Sequence, residues 1–332
     1  MREGKSRISQ ILYNGRQIKE EDTSVELLQD FYTQLDHCYT DGCCETIERF
    51  LLQSLEQEKS AGGDALIAVY NELGGFYRGI SRFGESLDAF EQARLLTEKQ
   101  LGRSCEQYAT ILNNMAGTYR LMREYEKAID CFLEAIKVYK EVDAEGGYAY
   151  TSVLNNLSLA YQETKHYDLA IKYLQEALRR MQETPENHQE LAVTLNNLTA
   201  LYHAVGEREK ALCCLQRALN EYDAVPEAER VHYAAVLNSL AGFLYDMGDC
   251  ERALVLYRRS AKYTLKFFGE NAELAATCLN MRWVCERLGR RSDAVAALEK
   301  AAEIYERLFG ESNERTLAAR ADLARLREEA AE

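Results

Sequence analysis

One short pattern recurs along this 332-residue chain at nearly constant spacing, and a spacing of that kind admits few folds. It reads Leu-Asn-Asn-Leu followed by a small residue. The clear copies are Leu112-Asn113-Asn114-Met115-Ala116, Leu154-Asn155-Asn156-Leu157-Ser158 and Leu195-Asn196-Asn197-Leu198-Thr199. Weaker copies are Tyr70-Asn71-Glu72-Leu73-Gly74 and Leu237-Asn238-Ser239-Leu240-Ala241, and Cys278-Leu279-Asn280-Met281 has drifted further. A second small residue follows twelve positions on: Ser86, Ala128, Ala170, Ala211, Ala253 and Ala294, at intervals of 42, 42, 41, 42 and 41. A constant period of this length marks a repeat architecture, in which no single unit can bury its apolar face and each stacks on its neighbours.

Each period reads as two amphipathic helices. Ile111, Leu112, Met115, Tyr119 and Met122 keep the spacing of one helix face, and Ala128, Ile129, Phe132, Ala135, Ile136 and Tyr139 keep that of the next. The turn between them is Arg123-Glu124, and later copies place Gly206, Gly248 and Gly289 there, consistent with a helix ending in the left-handed conformation. Loop signals separate the periods: Gly102, Gly146-Gly147, Pro185, Pro226, Gly269 and Gly310. The chain has only 2 prolines, and both fall between periods, so neither interrupts a helix. Small residues at fixed places predict close helix crossings, with Tyr77, Tyr119, Tyr161 and Tyr202 filling the space beside them.

This pattern resembles the tetratricopeptide repeat, in the form of about 42 residues found in kinesin light chains, over roughly residues 66–310. The unit boundaries Phe268-Gly269-Glu270-Asn271 and Phe309-Gly310-Glu311-Ser312-Asn313 are similar to that group, although its usual His-Pro is absent. The resemblance implies an all-α fold, an α-solenoid wound as a right-handed superhelix, of about seven helical hairpins plus a C-terminal capping helix. The domain reading is a tail over 1–22, a degenerate capping hairpin over 23–62, the tandem array over 63–313 and a capping helix over 314–332. The first hairpin rests on Leu27, Leu28, Phe31 and Leu35 before Gly42, then Ile47, Phe50, Leu51 and Leu55; the last helix rests on Leu317, Leu323 and Leu326. No long heptad segment is present, so the motor-binding role of kinesin light chains is not carried over.

In the family, first helices line the concave surface on which peptides bind. By that resemblance the expected peptide-binding residues are Asn71, Asn113, Asn155, Asn196 and Asn238 in one column and Asn114, Asn156 and Asn197 beside it, with Gly75, Gly117 and Gly242 keeping the floor low. A carboxamide offers both donors and an acceptor, so a ladder of them suits an extended peptide backbone. The same residues could instead tie neighbouring helices together. Asparagine inside a helix costs about 0.5–0.7 kcal/mol relative to alanine, so some return is implied either way. Five hydrogen bonds at about 1 kcal/mol each fall short of the roughly 8 kcal/mol of a micromolar complex, so side chains must add affinity and specificity. Seven residues after the first column stand Arg78, Arg120, Gln162, His203, Tyr245 and Glu286, basic at the early end and neutral to acidic at the late one, where Glu163 and Asp246 add negative charge. Arg78 and Arg120 are candidates to clamp a carboxylate, or are simply solvated. The clamp of chaperone-tail adaptors uses lysines and arginines near the asparagine columns; those columns hold neither here, so that role is not expected. Trp283, the single tryptophan, reads as core or cap, beside an Arg282 that stands where earlier repeats have a small residue.

Other functions find no support in the pattern. A phosphate loop, a Gly-x-Ser-x-Gly elbow and His-Glu-x-x-His are all missing, so no catalytic residues and no cofactor are expected. The ten cysteines include no Cys-x-x-Cys, and the five histidines have no ligand spacing, so a metal site is not expected and the thiols read mainly as reduced core residues. With 40 basic and 54 acidic side chains the net charge is −14, which disfavours nucleic acid and anionic membranes. No signal-like segment or run long enough to span a bilayer is seen, and a cytoplasmic location is expected. The expected role is a non-catalytic scaffold or adaptor for a protein or extended peptide, of open oligomeric state. The alternative is an intracellular peptide-sensing receptor whose superhelix changes pitch on binding.

Overall fold

Where apolar residues keep a helical period the chain is helical, and the breaks fall at the turn signals. The computed structural model describes residues 23–41, 43–61, 65–182, 188–227, 230 and 232–331. Fifteen helices account for most of these: α1 (Thr23–Asp41), α2 (Cys44–Ala61), α3 (Ala65–Gly79), α4 (Phe83–Leu101), α5 (Glu106–Leu121), α6 (Tyr125–Glu141), α7 (Tyr148–Glu163), α8 (Tyr167–Gln182), α9 (His188–Ala204), α10 (Arg208–Asp223), α11 (Tyr233–Asp246), α12 (Cys250–Phe268), α13 (Ala272–Arg287), α14 (Arg291–Phe309) and α15 (Glu314–Ala331). No strand occurs among the described residues. The first fourteen helices pair in order into seven hairpins, and α15 closes the series, as the period predicts. The expected tail, Gly42 and Pro185 lie outside the described residues.

The chain divides into two compact units, Met1–Thr184 and Pro185–Glu332, which hold α1–α8 and α9–α15. Inside each unit, the first helix of a hairpin packs on its own second helix and on the second helix of the hairpin before it. First helices of successive hairpins also touch directly. In the first unit, Tyr32 and Leu35 of α1 and Ile47, Leu51 and Leu55 of α2 share a core with Leu66, Val69 and Leu73 of α3, so the first hairpin covers the face that α3 would otherwise expose. In the second unit, Leu326 of α15 joins the core of Leu254, Val284 and Cys285. Leu317, expected in that core, is 53% exposed, and Thr316 and Ala319 are buried in its place.

The crossings are as tight as the small residues imply. Ser86, Ala128, Ala170, Ala211, Ala253 and Ala294 are each 0% exposed. The Ser86 hydroxyl donates to the carbonyl of Gly74 at 2.8 Å, and the Thr199 hydroxyl to that of Ala211 at 3.4 Å, so paired small residues twelve apart in sequence do meet. At Gly74 a Cβ would lie 2.7 Å from the Phe90 ring, which leaves glycine as the residue that fits.

Each hairpin turn from α3–α4 onwards carries one residue with positive φ. In the later repeats it is Gly206, Gly248 or Gly289, at 81°, 86° and 70°; in the earlier ones it is Ser81, Arg123 or Lys165, at 63°, 64° and 63°. A side chain in that region is strained, and glycine is not.

The cysteines depart from expectation. Cys214, Cys250, Cys278 and Cys285 are buried, Cys43, Cys44 and Cys213 are exposed, and Cys38, Cys105 and Cys131 lie between. Neighbours on a helix point about 100° apart, so Cys213 and Cys214 cannot share one face. Burial pushes the Cys214 and Cys278 thiols up to about 11.

Two substitutions test this account by thermal or denaturant unfolding. Ala170→Leu should overpack its crossing and destabilise by about 1–3 kcal/mol. Lys165→Gly should relieve turn strain and stabilise by roughly 0.5–1 kcal/mol, an unusual outcome for a helix-flanking glycine.

Candidate functional site

The first helices carry the polar residues of each repeat on the side not used by the hairpin core. Asn71 on α3, Asn113 and Asn114 on α5, Asn155 and Asn156 on α7, Asn196 and Asn197 on α9, and Asn238 on α11 are all half-buried. A period of 42 places one such group in the same position on successive first helices, which is why they form rows.

In the first unit, these carboxamides bond one another. Asn114 donates from Nδ2 to Asn71 Oδ1 at 2.9 Å, and Asn156 donates to Asn113 Oδ1 at 3.1 Å. The second column of one hairpin thus reaches the first column of the hairpin before it, 43 residues back. Asn155 donates to the carbonyl of Thr151 on its own helix, at 3.0 Å. Each bonded carboxamide pair still has a second N–H on the donor and a second lone pair on the acceptor.

The second unit breaks the pattern. Ser239 stands where the asparagine of a second column would be, and its side chain is too short to span the gap. The Oδ1 of Asn196 is left buried without a partner. Asn238 donates instead to Thr277 Oγ1 at 2.8 Å, and its own Oδ1 is likewise buried and unpaired.

Arg78 and Arg120 sit one repeat apart on α3 and α5. Arg78 extends along α5, donating from Nη1 to the carbonyl of Asn114 at 3.2 Å, and its guanidinium lies 5.9 Å from the Phe90 ring centre. Gly117 makes room for it, since a Cβ there would stand 3.0 Å from Nη1. Burial holds Arg78 below the usual arginine value; the nearby charge of Arg120 acts the same way, and Glu72 opposes both. The Nε of Arg120 is buried without a partner. Neither arginine forms an ion pair with a carboxylate among the described residues, in a chain whose acidic groups outnumber its basic ones by 14.

At the late end two of the carboxylates have side-chain partners. Asp246 meets His203 at 3.1 Å, and Glu286 meets Arg282 at 2.6 Å. Arg282 is itself 1% exposed and also holds Asp322 of α15, at 2.9 Å. Trp283 was expected in the core or cap and is 48% exposed. The reason is the helical step: with Arg282 buried at the crossing, its neighbour turns to the face that Gly75, Gly117 and Gly242 occupy in other repeats. The arginine in a small-residue position was the visible signal of this departure. Arg287 carried no signal in the repeat pattern; it donates to the carbonyl of Tyr245 at 3.2 Å and lies 5.1 Å from its ring centre.

Two models of the tetratricopeptide repeat match this chain, one over residues 65–141 and 150–223 and the other over 234–271 and 286–314, together well over half of its length. The chain belongs to the tetratricopeptide repeat family. Among solved structures, BtubC (BKLC) from P. vanneervenii is 25% identical, with a TM-score of 0.55 over 60% of this chain and 81% of that one. A Q17M variant of nearly identical TPR-like repeats from Podosopora anserina, provisionally named a kinesin light chain, is 16% identical, with a TM-score of 0.50 over 59% and 94%. A Rap protein complexed with Competence and Sporulation Factor is 16% identical, with a TM-score of 0.59 over 94% and 88%. No curated protein matches the chain. The last two likenesses show that the tetratricopeptide fold is shared.

No group of three or more His, Cys, Asp or Glu among the described residues is placed to hold a metal ion, and none of the described helices is long and apolar enough to cross a membrane.

The carboxamide geometry predicts opposite outcomes on equivalent substitutions. Asn114→Ala and Asn156→Ala should each cost about 0.5–1.5 kcal/mol of stability, as ties between hairpins are lost. Asn196→Ala removes a buried unpaired oxygen and raises helix propensity, so its melting temperature should hold or rise.

Proposed function

We propose that this chain is a non-catalytic scaffold that binds an extended acidic peptide, or an extended segment of a partner protein, on its first-helix face. The observation that carries the reading is the Arg78–Arg120 pair. Two neighbouring guanidinium groups, partly desolvated and without carboxylate partners, are costly in the free protein. An acidic side chain or a chain terminus arriving between them would gain strong bidentate hydrogen bonds. The remaining hydrogen-bonding capacity of Asn71, Asn113, Asn114 and Asn156 supports the peptide backbone alongside in the first unit. The orphaned oxygens of Asn196 and Asn238 are acceptors that a backbone N–H would satisfy.

The family membership supports binding of protein or peptide over catalysis. A peptide-sensing role would use the same face, and the Rap protein solved with Competence and Sporulation Factor is the observation that favours it. Small-angle scattering separates the two. A scaffold keeps its dimensions on saturation with peptide, and a sensor becomes more compact.

A glutamate-rich synthetic peptide titrated into the full chain tests the binding face. Arg78→Ala and Arg120→Ala should each weaken it by at least threefold or so, and the loss should shrink as salt rises. A lysine-rich peptide of the same length should bind no better to the parent than to the variants. Equal affinity of the parent and both variants for the acidic peptide would overturn the reading.

A further inference from the structure

Trp283 is a large apolar side chain held half-exposed at a position where three other repeats have glycine. Its indole is not loose. The Arg282 guanidinium lies 3.7 Å from the ring centre, and that guanidinium is fixed in turn by Glu286 at 2.6 Å and Asp322 at 2.9 Å. One face of the ring is therefore occupied by a buried cation and the other is open. Arg287 stands one turn further along α13, where side chains four apart are neighbours. It reaches back to Tyr245 on α11, stacking on the ring and donating to the carbonyl.

The charges around this platform are nearly all committed. Glu286 is bound to Arg282, Asp322 to Arg282 and Arg325, and Asp246 to His203. Arg287 alone among these cations contacts a carbonyl and no carboxylate. A cation already covers one face of the indole, so a second cation on the open face is opposed by repulsion, and an uncharged ring or aliphatic group is not. A fixed aromatic platform also loses little entropy on binding, which is the property of a good anchor site.

We infer that Trp283, Tyr245 and Arg287 form a specificity subsite for a peptide residue that is aromatic or aliphatic and is followed closely by a carboxylate. The apolar side chain lies on the open face of Trp283, and the carboxylate pairs with Arg287. This rests on the proposed peptide-binding role and assigns to the second unit a selectivity that the Arg78–Arg120 pair does not supply.

The test uses the only tryptophan in the chain as its own reporter. Three synthetic peptides differing at one motif, Phe-Glu-Glu, Ala-Glu-Glu and Phe-Lys-Lys, are titrated into the full chain. Tryptophan emission and the anisotropy of a dye on the peptide are followed together. The Phe-Glu-Glu peptide should shift the emission to the blue and bind about tenfold more tightly than Ala-Glu-Glu, the scale of a buried aromatic anchor. The Phe-Lys-Lys peptide should leave the emission unchanged. Arg287→Ala should remove the preference for Glu-Glu over Lys-Lys in the shift, and Trp283→Leu should reduce the preference for Phe over Ala in the anisotropy. If Phe-Glu-Glu binds by anisotropy and the emission does not move, the subsite is wrong and the scaffold reading stands. If no peptide binds by either signal, both fail. Equal shifts with all three peptides, or retention of both preferences in the variants, also overturns the subsite.

Discussion

Everything in this molecule depends on two helices being able to approach until their backbones nearly touch. At Gly74 and Ser86 the approach is close enough for a hydroxyl to bond the facing carbonyl, and a single added methyl group would collide with Phe90. That contact fixes the geometry of the hairpin. The hairpin then presents one apolar face forward and one backward, and stacking buries both. Because the contact recurs every 41 or 42 residues, polar side chains elsewhere in the repeat also recur in rows. The rows of asparagine on the first helices are thus a geometric by-product of crossings made by alanine, glycine and serine.

The fold was legible in the sequence because its causes are local and repeated. Small residues twelve apart, glycines at the turns and prolines between units each report one physical requirement, and six copies make accident implausible. The turn of α7 into α8 shows the limit. Lys165 takes a backbone conformation that glycine takes in three other repeats, and nothing in the residue itself announces this. It was readable only from the repeat register. Leu317 shows another limit, because a capping helix has a single packed face, and its rotation by one residue moves a leucine into solvent.

The candidate site was legible in its residue types and not in its bonding. The sequence placed the asparagines on one side of the first helices but could not say whether they faced a ligand or each other. The 43-residue offset between Asn114 and Asn71, and between Asn156 and Asn113, is the clue to their pairing. It differs from the repeat by one position, which is what a bond between adjacent columns requires. The same rule shows why Ser239 orphans Asn196. Charges were harder still. Glu286 and Asp246 suggested an acidic end, but an ion pair is a property of two rotamers in space: Glu286 pairs with Arg282, and Asp246 meets the His203 ring. Among the arginines of the first helices α3 to α13, those left without an ion-paired carboxylate, Arg78, Arg120 and Arg287, emerge only by subtraction.

The buried Arg282 has a bearing on how the chain assembles. Until α15 is seated, its guanidinium keeps Glu286 and lacks Asp322, so its burial is only partly compensated. A solenoid of identical repeats could lose its last helix gradually, unit by unit, from the end. Here the final hairpin and the helix that closes it are bound into one cooperative step, since α13 cannot bury its arginine comfortably without α15. The terminus of the array therefore resists fraying and also resists shortening. A chain cut before Glu314 would not end as a slightly shorter solenoid, and its last hairpin would tend to open back towards α12.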